Sequence, residues 1–341
     1  MNNVKRIDWI DSIKGMTIIA VVIGHCLDGY LKSDMFPTCK DVFYNIWYFI
    51  YSYHMPLFFV ISGITMYLAY VDKNKNIDKS RFKSQILNLF ILYTIWAIIL
   101  WCFKMVFSDS VNTGYTLNDL FMMYLLPLGN YWYLYVLCAI YIIVYVLKLQ
   151  KMNGSLLFIG MFIVNVLASY AFSIGLIPFT IYRILFNLFF VCVGIIICTS
   201  PKIFENKVVM IICSMYSLLS LIAFYIFKFD YYSMVFFKTA MALSTSIVFL
   251  WLFKNIKFLN NKFLSICGRY CIYIYLIHFY ITAANRKILP IIGITNPYIS
   301  LIVNVILATL ISLFIAKVAS KISVSDCIFR PNKFIKRLIR R

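Results

Sequence analysis

The chain has 341 residues, of which 63% are hydrophobic, 18% aromatic and 13% charged, and it carries a formal charge of +20. So low a charged fraction excludes a soluble globular domain, and the apolar runs leave no stretch in which one would fit. The basic excess would suit nucleic acid, but the cations sit in alternate loops between apolar segments, which excludes a nucleic-acid partner in favour of a membrane topology.

Runs long enough to cross about 30 Å of hydrocarbon recur at roughly 11–31, 44–70, 85–107, 131–149, 155–173, 180–199, 208–227, 234–253, 264–284 and 299–319. These predict an all-α integral membrane protein, a polytopic bundle of about ten transmembrane helices. Lys5 and Arg6 ahead of an apolar run resemble a signal peptide, but Asp8, Asp11 and Lys14 interrupt the run, and no small-residue cleavage site follows. The first run is therefore expected as an uncleaved span. Lys73, Lys75, Lys79, Arg81, Lys83, Lys148, Lys151, Lys202, Lys207, Lys254, Lys257 and Lys262 fall on one side with both ends of the chain. Lys32, Lys40, Lys228, Arg286 and Lys287 fall on the other. The positive-inside bias makes both termini cytoplasmic, in a multi-pass protein of a plasma or inner membrane.

The first span, "IDSIKGMTIIAVVIGHCLDGY", holds Lys14 and His25. Eleven helical positions advance about 1,100° and rise about 16 Å, so the two side chains share a face. Lys14 alone reads as an interfacial lysine that snorkels. Three turns below a histidine on one face, it suggests a cytosolic ligand with an anionic head at Lys14 and a reactive group deeper in the protein. Asp11, a helical neighbour, is placed to orient the ammonium.

The second span contains "YHMPLFFVISGITMY", where Pro56 favours a kink beside His54 and Ser62 with Gly63 permits a close helix contact. A kinked packing helix and a bend that aims His54 into a channel are both open. The segment "DLFMMYLLPLGN", 119–130, is too brief to span and is expected as an outer re-entrant or interfacial piece. "GNYWYLYVL" sets Trp132 at the outer interface, as an aromatic belt or as a sugar-stacking platform. Arg183 lies a few residues into the sixth span and Arg269 a short way into the ninth, where it joins Lys14 or serves as an interfacial anchor.

All three histidines, His25, His54 and His278, lie in spans and fall at similar depth in the outer half. Each alone is explained by a carbonyl or hydroxyl partner in the core; their common level, approached by Arg183, suggests a shared site. Most of the ten cysteines read as small apolar packing residues. Cys267 and Cys271 lack companion ligands, so no metal site is expected. The tail from 326 to 341 alternates apolar and basic residues as an amphipathic helix for anionic inner-leaflet lipid, following a transmembrane domain over 1–325.

Several strings occur in the order of a known family. "IDSIKGMTIIAVVIGH", with Lys14 and His25, "HMPLFFVISG", "YWYLYVL", "RILFNLFFVCVG" and "ICGRYCIYIYLIH" resemble the signatures of the membrane acyltransferase 3 family, particularly its fucose 4-O-acetylase-like sugar O-acetyltransferases. The resemblance implies transfer of an acyl group, most often acetyl, from cytosolic acyl-CoA to a hydroxyl of a cell-surface glycan or lipid-linked saccharide. It assigns catalysis to His25 and the donor face to Lys14. On the reading of the residues themselves, Asp11, Arg81 and Arg269 are expected beside Lys14 near the CoA. Lysine rather than arginine at position 14 forgoes bidentate phosphate pairing. His54, Ser62, Trp132, Arg183 and His278 are the expected acceptor-side residues, with acyl-CoA as donor substrate and no permanently bound cofactor. A polysaccharide or lipid transporter also needs a polar path but commonly carries internal repeats, which this sequence lacks. A non-catalytic membrane sensor would not need lysine and histidine on one face.

Overall fold

The structure, a computed structural model, describes residues 7–107, 114–227, 235–323 and 325–339. Lys5, Arg6, Lys228, Arg340 and Arg341, and the side chains of Lys336, Leu338 and Ile339, lie outside the described residues. The helices are α1 (Asp8–Lys32), α2 (Lys40–Tyr70), α3 (Lys79–Val106), α4 (Leu117–Phe121), α5 (Trp132–Leu147), α6 (Gly154–Ser173), α7 (Phe179–Thr199) and α8 (Pro201–Glu205). There follow α9 (Lys207–Phe227), α10 (Val235–Asn255), α11 (Lys262–Arg269), α12 (Cys271–Ile291), α13 (Pro297–Lys321), α14 (Asp326–Phe329) and α15 (Pro331–Ile339). Among the described residues nine helices are long and apolar enough to cross a membrane, and a tenth crossing is made by α11 and α12 if that bent pair is one span. The chain is a multi-pass, all-helical membrane protein. It divides into two compact units, residues Met1–Thr65 with Val193–Ala316, and Met66–Cys192 with Lys317–Arg341.

In the first unit the ninth expected span is not one rod. α11 and α12 meet at 85°, and α12 runs on to Ile291, beyond the expected end at 284. The eight residues of α11 rise only about 12 Å, too little for a crossing. Asn261 starts the helix by accepting a hydrogen bond from the Leu264 N–H at 2.9 Å. Two glycines fix where α11 lies. A Cβ on Gly15 of α1 would strike the Leu264 carbonyl, and one on Gly268 of α11 would strike the Asp11 carbonyl, so the two backbones touch where side chains are missing. α2 continues as one helix through Pro56. Gly194 of α7 meets α2 in the same way, against Val60, Gly63 and Ile64.

In the second unit the segment before α5 contains α4 and turns instead of a crossing helix, with Gly129 at a φ of +48°. Thr116 and Asp119 form a capping box. Hydrogen bonds from the Thr116 backbone N–H at 2.7 Å and hydroxyl at 2.8 Å hold the Asp119 carboxyl below its ordinary value. The tail docks on α3. Trp96 donates to the Ile328 carbonyl at 3.0 Å, and Asn332 donates to the Ser84 carbonyl and, at 3.1 Å, to its hydroxyl. Asp326 is buried and draws in Arg330 at 2.9 Å, Lys333 at 3.3 Å and Arg337 at 2.8 Å. Three tail cations are therefore engaged by one carboxylate.

Candidate active site

The histidines converge in the first unit, on α1, α2 and α12. Gly24 lets α2 come close, since a Cβ there would lie 3.0 Å from the Tyr51 ring. Tyr51, one turn before His54 on the same face of α2, puts its hydroxyl 3.4 Å from Nδ1 of His25. The rings of Tyr51 and His54 are 4.8 Å apart between centres, and those of His25 and His278 are 5.2 Å apart. Similar depth thus becomes proximity.

The three imidazoles are not equivalent. His54 is 3% exposed and His278 fully buried, whereas His25 keeps partial accessibility. Nδ1 of His54 lies 2.6 Å from the Ile50 carbonyl and Nδ1 of His278 lies 2.8 Å from the Ile274 carbonyl. A carbonyl only accepts, so each Nδ1 carries the proton and each neutral ring keeps its lone pair at Nε2. His25 makes no such backbone bond; its Nδ1 contact is with a hydroxyl that can donate or accept. It is the one ring of the three both reachable and free of a fixed tautomer.

At the N-terminal end of α1, Asp11 pairs with Arg269 at 3.6 Å, not with Lys14 as its spacing suggested. The reason is the close crossing of α11 at Gly15 and Gly268, which delivers a guanidinium to the carboxylate from another helix. Arg269 also donates to the Ser265 hydroxyl at 3.3 Å. Lys14 is partly accessible and has no hydrogen-bond or ion-pair partner among the described residues. An unpaired ammonium beside such a pair suits an anion.

Ser62 is buried and lies eleven positions past Tyr51, about 16 Å further along α2, near the close contact of Gly63 with Gly194. Arg81, Trp132 and Arg183 belong to the second unit. Asp78 caps α3, its carboxylate accepting from the Arg81 backbone N–H at 3.1 Å. The Arg183 guanidinium lies over the Trp132 ring at 4.4 Å and the Phe179 ring at 4.0 Å, so one face of Trp132 is covered by a cation.

Two features escape a reading based on ionisable residues. Tyr51 is hidden among aromatics that look like an interface belt; its signal was the helical spacing to His54. Beyond His25 and His278, Tyr30 bonds Ser300 at 2.9 Å, Asn304 donates to Tyr30 at 3.2 Å, and Asn285 donates to Asn304 at 3.1 Å. Arg286 adds a 2.9 Å bond to the Gly29 carbonyl. These hydroxyls and amides, with the one guanidinium, tie α1, α12 and α13 together immediately past the histidines.

No group of three or more metal-ligating side chains occurs among the described residues. A partly accessible imidazole with a phenol on one nitrogen can accept a proton from a hydroxyl, the elementary need of group transfer to oxygen. A family model described as an acyltransferase domain matches residues 7–319. No curated protein and no solved structure matches the chain.

Proposed function

The chain belongs to the acyltransferase 3 family and is a membrane acyltransferase, and from that premise we propose that it is an O-acetyltransferase acting on a cell-surface glycan or its lipid-linked precursor. Within the family we assign it to the fucose 4-O-acetylase-like members, with both termini in the cytoplasm and cytosolic acetyl-CoA as donor. The observation that carries the reading is the layout of α1: an unpartnered Lys14 and an accessible His25 on one helix face, about 16 Å apart.

In this mechanism the CoA phosphates rest at Lys14, beside the Asp11–Arg269 pair, and the pantetheine arm runs along α1 to bring its thioester to His25. An acceptor hydroxyl attacks the thioester carbonyl carbon. His25 takes the hydroxyl proton as the C–O bond forms, the C–S bond breaks, and the proton passes to the departing thiolate, leaving an ester and free CoA. General-base assistance of this kind is typically worth 10² to 10⁴ in rate. The Tyr51 hydroxyl holds the ring in orientation while this happens.

The test compares surface polysaccharide from cells with the protein, without it, and with His25→Ala, using mass analysis. The expected result is an acetyl-sized mass that disappears in both altered strains, while His25→Ala still reaches the membrane at normal abundance. Full acylation in the His25→Ala strain would remove His25 from the chemistry; a change in polysaccharide amount without a change in acyl content would make the acceptor reading wrong.

A further inference from the structure

His278 is the one histidine ring with nowhere to put its lone pair. It is fully buried, its Nδ1–H is committed to the Ile274 carbonyl at 2.8 Å, and its Nε2 has no hydrogen-bond partner. Leaving a buried acceptor unsatisfied ordinarily costs about 1–3 kcal/mol, and such an atom calls for an explanation. Water has no access to it. The nearest described ring that can change its number of N–H donors is His25, with centres 5.2 Å apart and planes inclined by 36°.

We propose that His278 is a positioning residue whose Nε2 accepts a hydrogen bond from one ring nitrogen of His25 while the other takes the acceptor's proton. This rests on the role of His25 proposed above. A neutral imidazole has one N–H; the protonated ring has two, and in a dry site each needs an acceptor. The nitrogen that takes the proton points it back at the acceptor's oxygen, beside the Tyr51 hydroxyl that lies 3.4 Å from Nδ1. The vacant Nε2 of His278 accepts from the second nitrogen. The arrangement gives a neutral histidine the part that a buried carboxylate plays in a hydrolytic triad: it orients the base and supports the protonated ring without taking a proton itself. His54 is the weaker candidate, because its ring packs against Tyr51 at 4.8 Å and His278 Nε2 is the histidine nitrogen that is buried without a partner among the described residues. The Ile274 carbonyl acts one step behind, since by fixing the His278 proton at Nδ1 it keeps Nε2 an acceptor.

The experiment follows acetyl transfer from radiolabelled acetyl-CoA in native membranes for His278→Leu, His278→Gln, His278→Asn, His25→Ala and the His25→Ala/His278→Leu double variant. Leu removes the acceptor, Gln restores an amide oxygen near the position of Nε2, and Asn keeps a polar group only near Nδ1. The expected result is a fall in kcat of about 100-fold for Leu and Asn with KM for acetyl-CoA unchanged, and recovery to within about tenfold for Gln. The double variant should be no slower than His25→Ala alone, because the two residues act as one unit. Thermal stability in detergent is measured for each, and if His278→Leu fails to assemble the Asn and Gln pair decides. Undiminished kcat in Leu or Asn, equal loss in Asn and Gln, loss carried by KM, or additive loss in the double variant would overturn the proposal. Undiminished transfer in His25→Ala would instead overturn the reading on which it stands.

Discussion

The close crossing of α11 on α1 can be tested by one chemical change made at two glycines. In Gly268→Ala the new methyl meets the carbonyl oxygen, carbonyl carbon and Cα of Asp11, all backbone atoms that cannot swing aside. Alanine is favoured over glycine inside a helix by about 1 kcal/mol. Overpacking typically costs about 1–3 kcal/mol, and a backbone obstacle belongs at the upper end. The net is a destabilisation of about 1–2 kcal/mol, relieved only if α11 lifts away and lengthens the 3.6 Å Asp11–Arg269 contact. Gly160, inside α6, has no heavy atom within 4 Å of an added Cβ. Gly160→Ala therefore keeps the propensity gain, about 0.5–1 kcal/mol, with no clash. Thermal unfolding in one detergent should move the two midpoints in opposite directions, and KM for acetyl-CoA should rise in Gly268→Ala alone. If Gly268→Ala were as stable as Gly160→Ala, α11 would not lie where it is described and the account of Arg269 would fail with it.

Lys14→Met should raise KM for acetyl-CoA about tenfold or more with little change in kcat, and Lys14→Arg should retain affinity because the charge, not the ammonium shape, meets the phosphates; initial rates against donor concentration check both, and an unchanged KM in Lys14→Met would leave only an interfacial lysine. Asp326→Asn leaves Arg330, Lys333 and Arg337 facing a neutral buried amide. The three cations are partly solvated, so the expected cost is about 1–3 kcal/mol, below that of a fully buried pair. Limited proteolysis should then cut the tail faster in the variant, and equal cleavage rates would show that the carboxylate does not anchor it.

Much of this architecture was legible because hydrocarbon thickness sets a length, and runs such as those of α1, α3 and α13 satisfy it without ambiguity. The break between α11 and α12 was not. No proline marks it, and Arg269-Tyr270-Cys271 passes through a hydropathy window as one polar residue in a long apolar run. What bends the chain is a tertiary contact, two glycines facing carbonyls on another helix, and neither glycine announces its partner from one strand of text. The histidines were legible as a set for the opposite reason: ionisable groups in spans are few and costly, so a shared depth carries weight. Tyr51 and the Asn285–Asn304 bond were overlooked because phenols and amides are common enough in membrane helices to be read as belt or packing. For Asp11 the i, i+3 rule sees only neighbours on one helix, while the ion pair actually formed comes from α11.

The Asp11–Arg269 pair bears on why a lipid-crossing helix should hold Lys14 at all. A lysine at a helix end is ordinarily explained by its long stem, which lets the ammonium reach water while methylenes cover apolar surface. If that were its whole purpose, the carboxylate three residues away would be expected to share its charge, since such a pair is at hand without any rearrangement. Instead Asp11 faces the guanidinium of Arg269, and the close packing of α11 holds it there. One cation is neutralised and the other left open on the same face that leads to His25. Pairing Arg269 with Asp11 limits the local excess of positive charge, so that in the proposed mechanism the remaining ammonium is the one that meets the donor's anionic head. The same logic accounts for the other end of this helix face, where His54 and His278 have their protons fixed by backbone carbonyls and His25 is left free of such a bond.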